Sequence, residues 1–117
     1  MAWIYLDDQM PDHPKVAGIS DAAFRLHVSG ICYSGRQLTD GLIEADEVPR
    51  LVRKFKRAAP SELVDAGLWL PVGVAGSTDL YEIHDYLDWN PSREKVLARR
   101  QKAKDRKDAW NAAHGRG

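Results

Sequence analysis

A single cysteine, Cys32, leaves this 117-residue chain unable to form an intramolecular disulfide. Its core must hold by packing and hydrogen bonding, as suits a reducing cytoplasm. No uninterrupted apolar run approaches the roughly 20 residues that cross a bilayer, so no membrane role is expected. The opening Met1-Ala2-Trp3-Ile4-Tyr5-Leu6-Asp7-Asp8 has no basic n-region and is cut short by acids, unlike a signal peptide. Enzyme signatures are equally scarce: GxSxG, P-loop and GxGxxG patterns do not occur. His13, His27, His84, His114 and Cys32 show no CxxC, HExxH or other metal-ligand spacing. The dipeptide His84-Asp85 offers no base with an orienter, because adjacent strand residues point to opposite faces. The expectation is a non-catalytic cytoplasmic protein without metal or cofactor.

What the chain has is charge, unevenly placed. Residues 93–117 hold nine Lys/Arg against three Asp/Glu, whereas residues 1–92 hold eight against fourteen. A net charge of zero therefore conceals an acidic globule with a basic arm, and such an arm seeks polyanions. The length suits one domain with a modest core, divided here into a domain over 1–91 and a basic helix and tail over 92–117.

Local signals give the element order. Trp3 to Leu6 reads as an edge strand or extended packing segment, and the prolines at 11 and 14 argue against regular structure after it. Ser20-Asp21 starts a helix over 21–34, with Phe24, Val28 and Ile31 as its apolar stripe and Gly35 placed to stop it. His27 borders that stripe and reads as a semi-buried structural histidine. Thr39-Asp40-Gly41 is a turn and Leu42-Ile43 a bridge-like strand. A second helix is expected from near Asp46 or Glu47, because Pro49 is tolerated only in a first turn; Val48, Leu51, Val52 and Phe55 are its dry face. A third begins at Pro60-Ser61, anchored by Leu63, Val64 and Leu68, with Gly67 as a left-handed cap. Residues 68–72 and 80–84 form strands joined by a loose hairpin. Asn90 as cap and Pro91 at the first position then open a helix from Ser92 to about Trp110. That last helix has a thin apolar stripe of Val96, Ala103 and Trp110, plus Leu97.

This order predicts an α+β fold: a winged helix-turn-helix with a short N-terminal strand, a β-hairpin wing and a C-terminal basic helix. DNA is the expected partner. Arg50, Arg53, Lys54, Lys56 and Arg57 put five cations within eight residues before the candidate recognition helix, and Ser61 and Glu62 stand at that helix's N-terminus. In the tail, Arg93, Lys95, Arg99, Arg100, Lys102, Lys104, Arg106 and Lys107 surround the helix on nearly all sides, which suits phosphates and reads no bases. The hairpin from Gly73 to Glu82 has no Lys or Arg and carries Asp79 and Glu82, so it is not expected to touch DNA. Trp3, Trp69 and Trp89 are explained by core packing, which leaves Trp110 as the candidate for base stacking.

Several runs carry a family resemblance: Trp3 to Asp8, His13-Pro14-Lys15-Val16 and Ser20-Asp21-Ala22-Ala23-Phe24-Arg25-Leu26 near the start. Leu38 to Gly41, Glu62 to Trp69 and, most distinctively, Ile83-His84-Asp85-Tyr86-Leu87-Asp88-Trp89-Asn90-Pro91-Ser92 follow. To about Arg100 the chain resembles winged-helix proteins of actinobacterial phages and prophages, similar to the N-terminal domain of phage replication initiators and DnaD-like replisome organisers. The resemblance implies a DNA-binding module that marks an origin or recruits a helicase. It supplies no catalytic residues, and implies that Asp85, Trp89 and Asn90 fix the tail helix against the hairpin. Two other readings stand beside it: a module binding a host or phage replisome protein or a transcription factor through its acidic globule, and a small phage transcriptional regulator. Trp3 with the N-terminal strand, or Val96, Ala103 and Trp110 on the tail, are candidate homodimer seams.

Overall fold

The computed structural model of the chain describes residues 3–74, 76–84, 86–90 and 92–114, with the backbone alone at 88 and 89. The fold is mixed α+β. In chain order it comprises α1 (Pro14–Ala17), α2 (Asp21–Gln37), β1 (Leu42–Glu44), α3 (Ala59–Asp65), β2 (Trp69–Val72), β3 (Leu80–Ile83), α4 (Tyr86–Trp89) and α5 (Arg93–His114). The strands form one antiparallel sheet in the order β1-β3-β2, with Ile43 opposite Tyr81 and Trp69 opposite Ile83. These four residues turn to one face, where α2 and α3 cover them.

The core is built around Trp69, which has no exposed surface. Its indole N–H donates to Nδ1 of His27 at 3.0 Å, and its ring is tilted against Tyr81 with centroids 5.5 Å apart. His27 is thus a buried structural residue, as its place beside the stripe suggests. Burial disfavours the imidazolium and lowers the His27 pKa to about 4, so the ring is neutral and accepts at Nδ1. Gly30 lies one turn further along α2. A Cβ there would stand 2.8 Å from Cζ2 of Trp69 and 3.0 Å from Cδ1 of Ile43, so glycine lets the helix approach the sheet.

Helix α2 begins as its sequence signals. Ser20 is the N-cap, its hydroxyl accepting from the Ala23 amide at 3.1 Å, with Asp21 in the first turn. The same serine donates to Glu62 through its amide at 3.0 Å and its hydroxyl at 2.8 Å, pinning α3 to the start of α2. Gly35, however, does not stop the helix. It sits inside α2 because a Cβ there would lie 2.6 Å from Cγ2 of Ile4, so this glycine admits the N-terminal segment. The helix ends two residues later at Gln37, and its C-cap Leu38 takes the left-handed conformation (φ 57°) and donates to the Ser34 carbonyl.

Three further expectations are corrected. The second helix expected over 46–58 is a 3-10 segment, Ala45–Arg50, followed by turns to residue 58. Pro49 is its fifth residue, where a regular α-helix would set the proline ring against the Ala45 carbonyl. The prolines at 11 and 14 do not abolish regular structure: a 3-10 turn over Met10–Asp12 and α1 each carry one at the start, where a missing N–H costs nothing. Asn90 does not cap α5. Ser92 does, accepting from the Lys95 amide at 3.2 Å, while Asn90 accepts from the Tyr5 amide at 2.8 Å. Asn90 therefore holds the N-terminal segment, which over residues 3–7 forms no strand and pairs with none. Pro91, Asp85 and the Trp89 side chain lie outside the described residues. Gly67 is left-handed (φ 78°), as expected of a cap after α3.

Two predictions follow from the core. Gly30→Ala gains about 1 kcal/mol of helix propensity, but the rigid, buried neighbours of its new methyl add an overpacking cost of about 1–3 kcal/mol. Urea denaturation is therefore expected to show a less stable variant, whereas Gly18→Ala, whose Cβ would meet nothing within 4 Å, changes little. The folded-state pKa of His27 is depressed from 6.5, so unfolding takes up a proton below that value. Stability is then complete above pH 6.5 and falls as pH drops toward 4. Between pH 7.5 and 5 the loss from this group is about 2 kcal/mol. His27→Gln, which retains an acceptor for Trp69, is expected to remove that part of the pH dependence in denaturation curves.

Candidate nucleic-acid interface

The apolar residues of the 51–58 segment dictate where its charges go. Leu51, Val52 and Phe55 are half-buried against the core, which leaves Arg53, Lys54, Lys56 and Arg57 exposed on the intervening positions. The cations are therefore displayed by a docked loop, not by the wet face of a helix. Arg50 is exposed too, and its guanidinium reaches Oε1 of Glu47 at 3.4 Å. Such a surface pair is weak and leaves the arginine available.

Helix α3 contributes less than a groove-reading element needs. It carries no Lys or Arg; Ala59, Pro60 and Leu63 are buried, and Glu62 is engaged with Ser20. Of its expected contact residues, Ser61 alone is exposed and unengaged among the described residues.

Helix α5 is launched from the turn after α2. Ser34, fully buried, bonds through its hydroxyl to the Thr39 hydroxyl and accepts from the Gly41 amide at 2.6 Å, fixing residues 38–41. That turn places Asp40, whose carboxylate accepts from the Arg93 amide at 2.6 Å at the positive end of α5. From there 22 residues run about 33 Å without extended packing on any strand. The molecule measures 59 × 33 × 26 Å, and its radius of gyration of 17.9 Å exceeds the about 13 Å of a compact chain this long. Arg93, Lys95, Arg99, Arg100, Lys102, Lys104, Arg106 and Lys107 are all exposed. Among the described residues none of them makes an ion pair with an acid of the chain.

Arg50, at the start of the 50–57 segment, and Arg93, at the start of α5, each border the last turns of α2. A groove of about 390 Å³ joins Arg50 and Leu51 to Tyr33, Arg36 and Gln37 on one side of α2, while Ser34, Gly35 and Leu38, on the opposite side of the helix, line a recess with Arg93 and Val96. Arg36, whose guanidinium lies 6.0 Å from the Tyr33 ring centroid, stands on the Arg50 side of that helix end. Sequence reasoning missed it, because an isolated arginine in a helix's last turn reads as a dipole partner. The N-terminal tryptophan corrects another expectation: Trp3 is 79% exposed, since Ile4 takes the packing place at Gly35. Trp110 is 60% exposed, but one face of its indole is stacked on His114 with centroids 4.3 Å apart.

Among the described residues no group of three His, Cys, Asp or Glu is placed to hold a metal ion. None of the described helices is long and apolar enough to cross a membrane. No family model matches the chain, and neither does any curated protein or solved structure.

Proposed function

We propose that this chain is a DNA-binding protein of winged-helix type that grips the phosphate backbone with α5 and the 50–57 loop. The observation that carries the reading is electrostatic. Thirteen exposed cations at 50–57 and on α5 face solvent, and Arg50 alone among them is paired with an acid of the chain among the described residues. A surface charged in this way lowers its free energy by displacing counterions from a polyanion. Helix, strand, short helical segment, helix and hairpin, with the first strand beside the last, follow the order of a winged helix. The hairpin remains outside the interface, since its exposed Asp79 and Glu82 repel phosphate. Binding is accordingly strong at low salt and poorly selective for sequence. Together with the family resemblance, this favours a part in phage replication initiation, where the domain holds DNA for other factors.

The test is duplex binding by fluorescence anisotropy over a salt series. If about six phosphates are engaged, the slope of log affinity against log salt is about −5. Replacing Arg99, Arg100, Lys102 and Lys104 by Ala should reduce that slope by up to about 4, and Arg36→Ala by up to about 1. An unchanged slope in the fourfold variant removes α5 from the mechanism. Absence of binding at about 50 mM salt would overturn the DNA reading and favour a protein partner.

A further inference from the structure

Among the described residues, no element covers the face of the sheet turned away from the core. Register places Leu42, Glu82 and Leu70 in one row across it and Glu44, Leu80 and Val72 in the next. Leu70 and Val72 are 42% and 43% exposed, and Leu87, 53% exposed, shares a shallow groove with Leu70 and Glu82. The result is a patch of leucine and valine with glutamates set among them and Asp79 at its hairpin end. No ion pair is made to Glu44 or Glu82 among the described residues. Exposed apolar surface grouped in this way on a small domain marks a contact site.

Helix α5 carries the complementary pattern. Beyond Val96, which lines the recess with Ser34 and Gly35 of its own domain, Ala103 and Trp110 stand seven residues apart along one side, with Arg99, Arg100, Arg106 and Lys107 at helix-neighbour spacing to them. Apolar knobs flanked by cations match an apolar sheet flanked by carboxylates. Because α5 is one continuous helix leading away from the sheet, its distal half cannot turn back onto the face of its own domain.

We propose that the outer sheet face binds α5 of a second copy of this chain, in a head-to-tail association. The charge imbalance supports this occupant: the part bearing the sheet has six more acids than bases, and the part bearing α5 six more bases than acids. Such an interface is heterologous, so copies add in series unless a ring closes. It also uses the cations that duplex DNA would engage, so DNA and self-association compete. Free of DNA, the arm is held on a neighbour; on DNA, the chains separate.

Sedimentation velocity on the full chain tests this at several protein concentrations, at about 50 mM and about 500 mM salt, where screening differs severalfold. The expected result is a mass that rises with concentration at low salt and returns to the 13.1 kDa monomer at high salt. Glu44→Lys with Glu82→Lys should weaken association at least about tenfold, and adding Arg99→Glu with Arg106→Glu to the same chain should restore it. Circular dichroism verifies that each variant is folded. A monomer at every concentration and salt overturns the proposal, as does self-association that is indifferent to Glu44→Lys and Glu82→Lys or to the compensating swap.

Discussion

A water-free indole sets the geometry of this domain. Trp69 stands at the start of β2 with its ring inserted between sheet and helix, and an indole N–H in that position needs an acceptor. His27 supplies it, at the price of remaining uncharged. The pairing fixes the rotation of α2, because His27 and Gly30 must share the face that meets the ring, and Gly30 then sets how closely the helix approaches. Tyr81 and Ile43 complete the enclosure from the neighbouring strands. Stability, helix placement and pH response below neutrality thus trace to one contact.

From that fixed helix the periphery is placed by hydrogen bonds more than by burial. Ser34 orders the turn after α2, the turn positions Asp40, and Asp40 receives the first amide of α5. Asn90 anchors the N-terminal segment by its amide at Tyr5, and Ile4 fits where Gly35 lacks a side chain. The basic helix consequently leaves the domain in a defined direction although almost nothing on it is buried. Separating cations from the acidic body is what leaves them available to another molecule, since a folded-back arm would satisfy its charges internally.

Features governed by neighbouring residues were legible in the sequence. The Ser20 cap, the hairpin strands, the left-handed Gly67 and the basic terminal helix depend on signals a few residues apart. Features governed by distant partners were not. Gly35 looks like a helix stop until Ile4, thirty-one positions away, is found against it. Asn90 looks like a cap because its partner Tyr5 is at the other end of the chain. The 45–58 stretch has helical apolar spacing, yet Pro49 admits a short 3-10 segment while the same apolar residues dock as a loop. The candidate interface divides in the same way: its cations were visible as composition, but the groove that joins Arg50 to Arg36 required the fold.

The account rests on α5 and the 50–57 loop meeting the same polyanion. Amide and side-chain NMR shifts during titration with a short duplex test this most directly. On protein kept monomeric, the account predicts concerted shifts at 50–57, at Arg36 and along 93–107, with the 73–82 hairpin silent. Shifts confined to the hairpin, or to α5 with the loop unmoved, would contradict it.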